Sequence, residues 1–117
     1  AEQIQRALQA WYRAQAERIL SAKTQVLAER LGVTIADIRW RLTRSKWGHC
    51  TRAGVIQYNW LIIQAPEPVI DYLVAHEVSH RVHMNHGPRF WHTVASVCPD
   101  YQRQRAWLRD NGHRLGL

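Results

Sequence analysis

The sequence predicts an α+β domain: a long N-terminal helix, a short antiparallel sheet, and then a series of shorter helices. Three observations support this prediction. Apolar residues recur at helical spacing over residues 2–30, apolar and polar residues alternate within residues 37–63, and helical spacing returns after residue 65. The 117 residues suffice for one hydrophobic core, so we expect residues 1–117 to form a single domain.

The long helix is predicted from residue 2 to about residue 30. Its apolar residues follow a helical spacing, and alanine and glutamine fill many of the positions between them. Gly32 is a suitable stop, because glycine readily adopts the left-handed conformation that ends many helices. The pattern also allows a break near Ser21.

The sheet is predicted from two segments. In residues 37–44, Ile38, Trp40 and Leu42 alternate with polar residues, which is typical of a half-buried strand. Turn signals at Gly48 and Gly54 separate this segment from residues 55–63, which are again extended in character. Two strands joined by such a loop favour an antiparallel pair.

Three helices are predicted in the second half of the chain. Residues 65–83 indicate a helix buried mostly on one side, with prolines at its start. Gly87 and Pro88 are expected to end it. Two further helices are predicted over residues 88–98 and 99–112, the last one stopping at Gly112.

Composition limits the broad class of protein. Hydrophobic residues make up 46% of the chain, which is typical of a globular domain, and no apolar run approaches the roughly 20 residues that span a bilayer. Residues 1–20 lack the apolar centre of a signal peptide, and two cysteines are too few for a disulfide framework. We therefore expect a cytoplasmic protein without a membrane partner. The chain begins at Ala1 rather than at a methionine, which leaves room for a preceding segment.

Positive charge is concentrated in the first half of the predicted sheet region. The formal net charge is +7, and residues 38–66 contain no acidic residue. A basic surface formed by this segment would attract anionic partners, and a basic surface without a specific partner is the alternative. The candidate anion-binding residues are Arg39, Arg41, Arg44, Lys46 and Arg52.

The spacing of two histidines indicates a metal site. His76 and His80 are four residues apart, so on a helix they lie on one face, about 6 Å apart along the axis, and both can bind one zinc ion. Glu77 lies beside them, where a carboxylate can take a proton from metal-bound water. This is the pattern HExxH inside an apolar helix. The alternative is a pair of surface histidines on an amphipathic helix.

A third ligand is expected from chain that has turned back. His83 shares the helical face, but on a straight helix it lies about 10 Å from His76 along the axis, too far for one ion. His86 precedes the helix-ending pair Gly87 and Pro88, which can make the turn. His83 is therefore predicted to line the cleft or the surface.

These residues resemble a known family. Residues 76–91, HEVSHRVHMNHGPRFW, are similar to the metal-binding segment of the YgjP-like and SprT-like zinc metallopeptidases, in which His-Gly/Ser-Pro-x-Phe supplies the third ligand. The resemblance extends to RSKWGHCTRAGVIQYNW upstream and CPDYQRQRAWLRDNG downstream, and so covers nearly the whole chain. It implies a small zincin-like domain that lacks the family's N-terminal β-rich segment. His49 departs from the family pattern, which usually has serine there.

The chemistry expected from this resemblance is zinc-dependent hydrolysis of a peptide or protein. One zinc ion per chain would bind His76, His80 and His86, and Glu77 would be the general base. The substrate is expected to extend the strand in residues 55–60. Four aromatic residues are expected in the core and not in the site: Trp47, Trp60, Phe90 and Trp91. Cys50 is expected to be a buried apolar residue, with an inhibitory metal ligand as the alternative. Candidate substrate or transition-state contacts, chosen by residue type, are His49, Tyr58, Asn59 and His83.

Two alternatives remain open from the sequence. A metal-activated water can also hydrolyse the phosphoanhydride of a nucleotide, and the basic segment would then contact phosphates. The SprT-like resemblance also suggests a DNA-associated protease or binding module, in which arginines interleaved with Trp40 and Trp47 would contact nucleic acid. No dedicated DNA-reading motif is present, so we expect any nucleic-acid binding to be weak.

Overall fold

The computed structural model describes residues 1–43 and 45–116 and confirms the α+β class. Arg44, a predicted anion-binding residue, lies outside the described residues. Short 3₁₀ turns cover Trp60–Gln64 and Gly112–Arg114. The helices and strands are α1 (Glu2–Leu31), β1 (Asp37–Arg41), β2 (Gly48–Cys50), β3 (Val55–Asn59), α2 (Glu67–Ser79), α3 (Pro88–Val97) and α4 (Tyr101–Asn111).

Helix α1 is continuous, as predicted, without a break at Ser21. It ends at Gly32, whose φ of 70° is the left-handed conformation that glycine adopts without strain. Tyr12 packs partly against the core, and the fully buried residues follow in the second half of the helix. Its buried residues repeat at helical spacing along one face and are Ala16, Leu20, Thr24, Leu27 and Ala28.

The sheet is mixed, with strand order β1-β3-β2. The predicted antiparallel pairing of the first and last strands is wrong: β1 runs parallel to β3, and the short strand β2 runs antiparallel to it. The chain reverses twice between β1 and β3, because β2 runs back before a tight turn at Gly54 (φ 93°) leads into β3. Residues 60–63, predicted to be extended, instead lie in a 3₁₀ turn.

The two faces of the sheet differ in polarity. Ile56 and Tyr58 are buried, and Ile38 and Trp40, their partners on β1, pack against the same core. The Tyr58 hydroxyl lies 2.8 Å from the Thr24 hydroxyl on α1, which links the sheet to that helix. Arg39 and Arg41 are exposed on the opposite face, as the pleat of a strand requires.

Helix α2 is the central helix and is buried on most sides. It ends at Ser79, with His80 as its C-cap, and so is shorter than predicted. The N–H groups of Arg81 and Val82 bond to carbonyls three residues earlier, which tightens the last turn and ends the helix. Gly87 and Pro88 do not end α2 but begin α3, as its N-cap and first residue.

Helices α3 and α4 lie close to their predicted limits. Phe90 and Val94 of α3 are buried, and Gln104 of α4 is buried with its amide bonded to Asp100. Across residues 1–43 and 45–116, none of the helices has both the length and the apolar character needed to cross a bilayer.

Candidate metal centre

Three imidazoles meet at the end of the central helix. His76 lies on α2, His80 is its C-cap, and His86 lies in the loop before α3. One ring nitrogen from each lies within 4.8 Å of the others, and the Nε2 atoms of His80 and His86 are 3.0 Å apart. Nitrogens held 2.0–2.1 Å from a tetrahedral zinc ion lie about 3.3 Å from one another. The donor atoms and their separations therefore fit a metal ion of that kind.

Backbone and side-chain contacts orient two of these rings. The Nδ1 of His80 lies 3.2 Å from the carbonyl oxygen of His83, so an Nδ1–H donates to it and leaves Nε2 for a metal. The Nδ1 of His76 lies 3.3 Å from Oε2 of Glu77. His83 thus contributes to the site through its backbone carbonyl, and its ring is not one of the three that converge.

Phe90 supports all three imidazoles. Its ring centroid lies 5.1 Å from that of His76, 4.5 Å from His80 and 4.9 Å from His86. The side chain is fully buried, so the prediction that Phe90 lies in the core is confirmed. The same ring also packs against the three imidazole rings and limits their movement. Gly87 and Pro88 start the helix that presents Phe90 to the site.

The half-buried Trp91 forms a second aromatic wall. Its ring centroid lies 5.8 Å from that of His76 and 6.0 Å from that of His86, and it stacks on Tyr101 of α4 at 5.2 Å. The Cζ atom of Arg105, also on α4, lies 4.8 Å from the ring centre. The sequence placed Trp91 among core residues and did not single out Arg105.

The environment of His80 and His86 favours their neutral form. Burial lowers the pKa of His80, and proximity to His76 lowers it further. The pKa of His86 is lowered in the same way, first by burial and then by His76. Neutral imidazole is the form that binds a metal ion, so this arrangement reduces the competition from protons.

The carboxylate of Glu77 is enclosed beside the histidines. Only 2% of Glu77 is exposed, and its Oε2 atom lies against the backbone of Gly48 on β2. A Cβ atom at residue 48 would lie 2.6 Å from that oxygen. Gly48 was predicted to mark a turn, but it lies in a strand where the absence of a side chain admits the carboxylate.

Two predicted substrate contacts are corrected by the structure. Tyr58 is fully buried with its hydroxyl paired to Thr24, so it does not reach a substrate. The Asn59 side chain is buried, and both of its polar atoms are engaged in structural hydrogen bonds: Nδ2 donates to the Thr43 carbonyl, and Oδ1 accepts from the Leu61 N–H. His49 is exposed in β2, between Gly48 and Cys50, and the pleat points it to the face opposite Gly48.

The predicted substrate-binding strand is also corrected. Strand β3 is the middle strand, paired with β1 on one side and β2 on the other, so it has no open edge. Strand β2 is the edge strand that contacts α2, and it carries Gly48. Cys50 is buried in the core, as expected, and is not among the converging metal-binding groups of the described residues.

The predicted basic surface is divided. Arg39 and Arg41 are exposed on β1, at the sheet edge opposite β2, and Arg39 is paired with Asp37 at 3.3 Å. Lys46 is exposed in the β1–β2 connection. Arg52 lies closer to the metal-binding loop, where it lines a cavity of about 610 Å³ together with His83 and Arg89.

Comparison with known proteins agrees with this geometry. The fold is similar to two metallopeptidase zymogens of known structure: abylysin from Pyrococcus abyssi (TM-score 0.67, 18% identity, 77% of this chain and 93% of that one) and jannalysin from Methanocaldococcus jannaschii (TM-score 0.61, 15% identity, 74% and 93%). No curated protein matches the sequence. The model of the family described as YgjP-like, metallopeptidase domain, matches residues 1–111. The chain therefore belongs to the YgjP-like metallopeptidase family.

Proposed function

We propose that this protein is a zinc-dependent metallopeptidase that binds one zinc ion per chain through His76, His80 and His86 and uses Glu77 as its general base. The observation that supports this most directly is the convergence of three imidazole nitrogens beside a single buried carboxylate. Peptides or proteins are then the substrates.

Zinc suits the donor set better than other common ions. Three neutral imidazoles with no carboxylate ligand are typical of zinc, whereas calcium and magnesium prefer oxygen. Three protein ligands leave a fourth position free for chemistry. When bound there, zinc supplies a water of lowered pKa and polarises the scissile carbonyl.

Glu77 moves the proton in this proposal. Its carboxylate lies next to His76 and is enclosed by Gly48, so it is held close to the metal position without binding the metal. There it accepts the proton of the attacking water and then delivers that proton to the leaving amine. The bare backbone at Gly48 leaves the carboxylate room to do so.

Strand β2 is the proposed docking edge for the substrate backbone. One side of β2 pairs with β3, and among the described residues no strand pairs with its other side. A peptide bound there would add a fourth strand directly beside the carboxylate of Glu77. We also propose a cytoplasmic setting, which is consistent with two cysteines that form no disulfide.

The decisive experiment separates metal binding from proton transfer. Glu77→Gln keeps the shape of the side chain but removes the proton acceptor, so zinc content should stay at one per chain while peptide hydrolysis falls at least ~100-fold. Glu67→Gln, an exposed glutamate in the first turn of the same helix, is the matched control and should keep full activity. Elemental analysis and a panel of peptide, protein and nucleoside triphosphate substrates provide the measurements.

The ligand set is tested in the same series. His86→Ala should lose zinc, whereas His83→Ala should keep it, because the His83 carbonyl that orients His80 survives the change. Full zinc occupancy in His86→Ala would rule out the proposed third ligand. Hydrolysis of nucleoside triphosphates, but of no peptide, would replace the peptidase proposal with a phosphoanhydride hydrolase.

A further inference from the structure

Arg105 lies beside the metal centre without being part of it. Its Cζ atom is 4.8 Å from the centre of the Trp91 ring, and that ring lies against His86 and His76. A guanidinium over an indole face is held by cation–π attraction. Tyr101, one helical turn earlier on α4, stacks on Trp91 and keeps the indole in place.

The charge of Arg105 is not neutralised within the described part of the chain. Its side chain makes no ion pair or hydrogen bond there, whereas Arg109 of the same helix is paired with Asp110 and Lys23 of α1 with Asp71. All the N–H donors of Arg105 are therefore available to a ligand. Their planar arrangement matches a carboxylate, which can accept two of them at once.

Trp91 places this guanidinium next to the metal-binding end of α2. The indole ring centroid lies 5.8 Å from that of His76 and 6.0 Å from that of His86, and the Cζ atom of Arg105 lies 4.8 Å from the indole centre. A substrate held at the metal would therefore have Arg105 within reach of its neighbouring residues.

We propose that Arg105 is a specificity-determining residue that binds a carboxylate of the peptide substrate near the scissile bond. The inference rests on the proposed peptidase function and adds a substrate class to it: acidic peptides. Two sources supply the same chemistry, the side chain of an aspartate or glutamate and the C-terminal carboxylate of a short peptide.

The test compares matched peptides. One series places glutamate or glutamine at each position beside the scissile bond, and a second has free or amidated C-termini. For the wild-type protein, one carboxylate should raise kcat/KM by roughly ten- to a hundredfold, the usual effect of a charge-assisted hydrogen bond. Arg105→Gln should abolish that preference, so that the matched peptides with and without the carboxylate are hydrolysed with equal kcat/KM. Arg105→Lys should retain only part of it, since lysine keeps the charge but not the planar donors.

Arg109 of the same helix provides the matched control variant. Arg109→Gln removes the same charge from the same exposed helix and should leave the preference intact. A wild-type preference that persists in Arg105→Gln, or no preference at all, would overturn the inference. Binding of the peptides to the zinc-loaded Glu77→Gln variant separates the two proposals. Carboxylate-dependent binding that requires Arg105, without hydrolysis by the wild type, would contradict the peptidase function and support the carboxylate site.

Discussion

Thr24 and Ser79 are buried helical hydroxyls in contrasting surroundings. The Thr24 hydroxyl is paired with that of Tyr58 at 2.8 Å, whereas the Ser79 hydroxyl is buried with no protein partner among the described residues. A buried polar group that loses its partner keeps the cost of desolvation. The two positions should therefore respond in opposite ways to removal of the hydroxyl.

Thr24→Val should lower the free energy of unfolding by about 1–3 kcal/mol, because it leaves the Tyr58 hydroxyl unpaired in the core. Ser79→Ala should leave the free energy unchanged or raise it, even though it alters a residue between Glu77 and His80. Urea unfolding monitored by tryptophan fluorescence measures both. A large loss of stability in Ser79→Ala would show that the hydroxyl has a partner such as an ordered water.

The two thiols should react slowly in the folded protein. Burial raises the pKa of Cys50 to about 11, as it does for Cys98, from a usual value of 9.0. A pKa raised by about two units reduces the thiolate fraction near pH 8 about a hundredfold, and the thiolate is the reactive form. Alkylation at pH 8 should thus be at least ~100-fold slower than in urea, and should quicken as the pH rises towards 11. Rapid alkylation of the native protein at pH 8 would contradict this environment.

At the scale of elements, the hairpin of β2 and β3 is joined to the end of the metal-binding helix by Arg81. Its side chain donates to the carbonyls of Thr34 and Arg52, and its guanidinium lies 3.0 Å from where a Cβ of Gly54 would be. Arg81 directly follows His80. The side chain of Arg81 therefore links the end of α2 to the β2–β3 hairpin, whose Gly48 lies against the carboxylate of Glu77.

Gly48→Ala tests whether this close approach matters for catalysis. The added methyl would lie 2.6 Å from the Glu77 carboxylate, so the carboxylate must shift. We expect zinc content to be retained and kcat to fall ~10- to 100-fold, as for other displacements of about 1 Å in an active site. Gly87→Ala is the matched control, because a Cβ there meets no atom within 4 Å. Equal activity in both variants would mean that Glu77 tolerates the displacement.

The sequence predicted elements better than their pairing. Periodicity located α1, α3 and α4 because it reports which residues face a core, but alternation in a strand carries no information on its direction. The parallel pairing of β1 with β3 follows from the three-residue strand β2, which is too short to give a pattern.

The candidate site could be predicted from the sequence only in part. The spacing that suggested His76, Glu77 and His80 is local, so it can be recognised in the sequence. The contacts of Gly48 and Arg105 join distant segments, so they cannot be recognised there.

At the scale of the whole molecule, α1 sets the longest dimension. A 30-residue helix is about 45 Å long, and the molecule extends 47 × 30 × 21 Å. The buried residues of α1 begin at Ala16, so its first turns extend beyond the core and expose Ile4, Leu8 and Trp11. The metal centre instead depends on α2, α3 and their connecting loop, which pack on the other elements.

The positive charge is likewise divided between the sheet edge at β1 and the surroundings of the metal centre. Arg39 and Arg41 belong to the strand farthest from β2, so they should contribute to nonspecific attraction of polyanions and not to hydrolysis. Replacing both with glutamine should leave zinc content and peptide hydrolysis unchanged.

Any binding of DNA to the protein should be weak, and the logarithm of its affinity should fall linearly with the logarithm of the salt concentration. The slope of that dependence should decrease by up to about 2 when Arg39 and Arg41 are both replaced with glutamine. Arg13→Gln with Arg18→Gln on α1 removes the same charge and is the control. Impaired hydrolysis in the β1 variant alone would show that the outer face of the sheet takes part in substrate binding. Tight DNA binding by the wild type that is lost in the β1 variant would favour a DNA-associated protease.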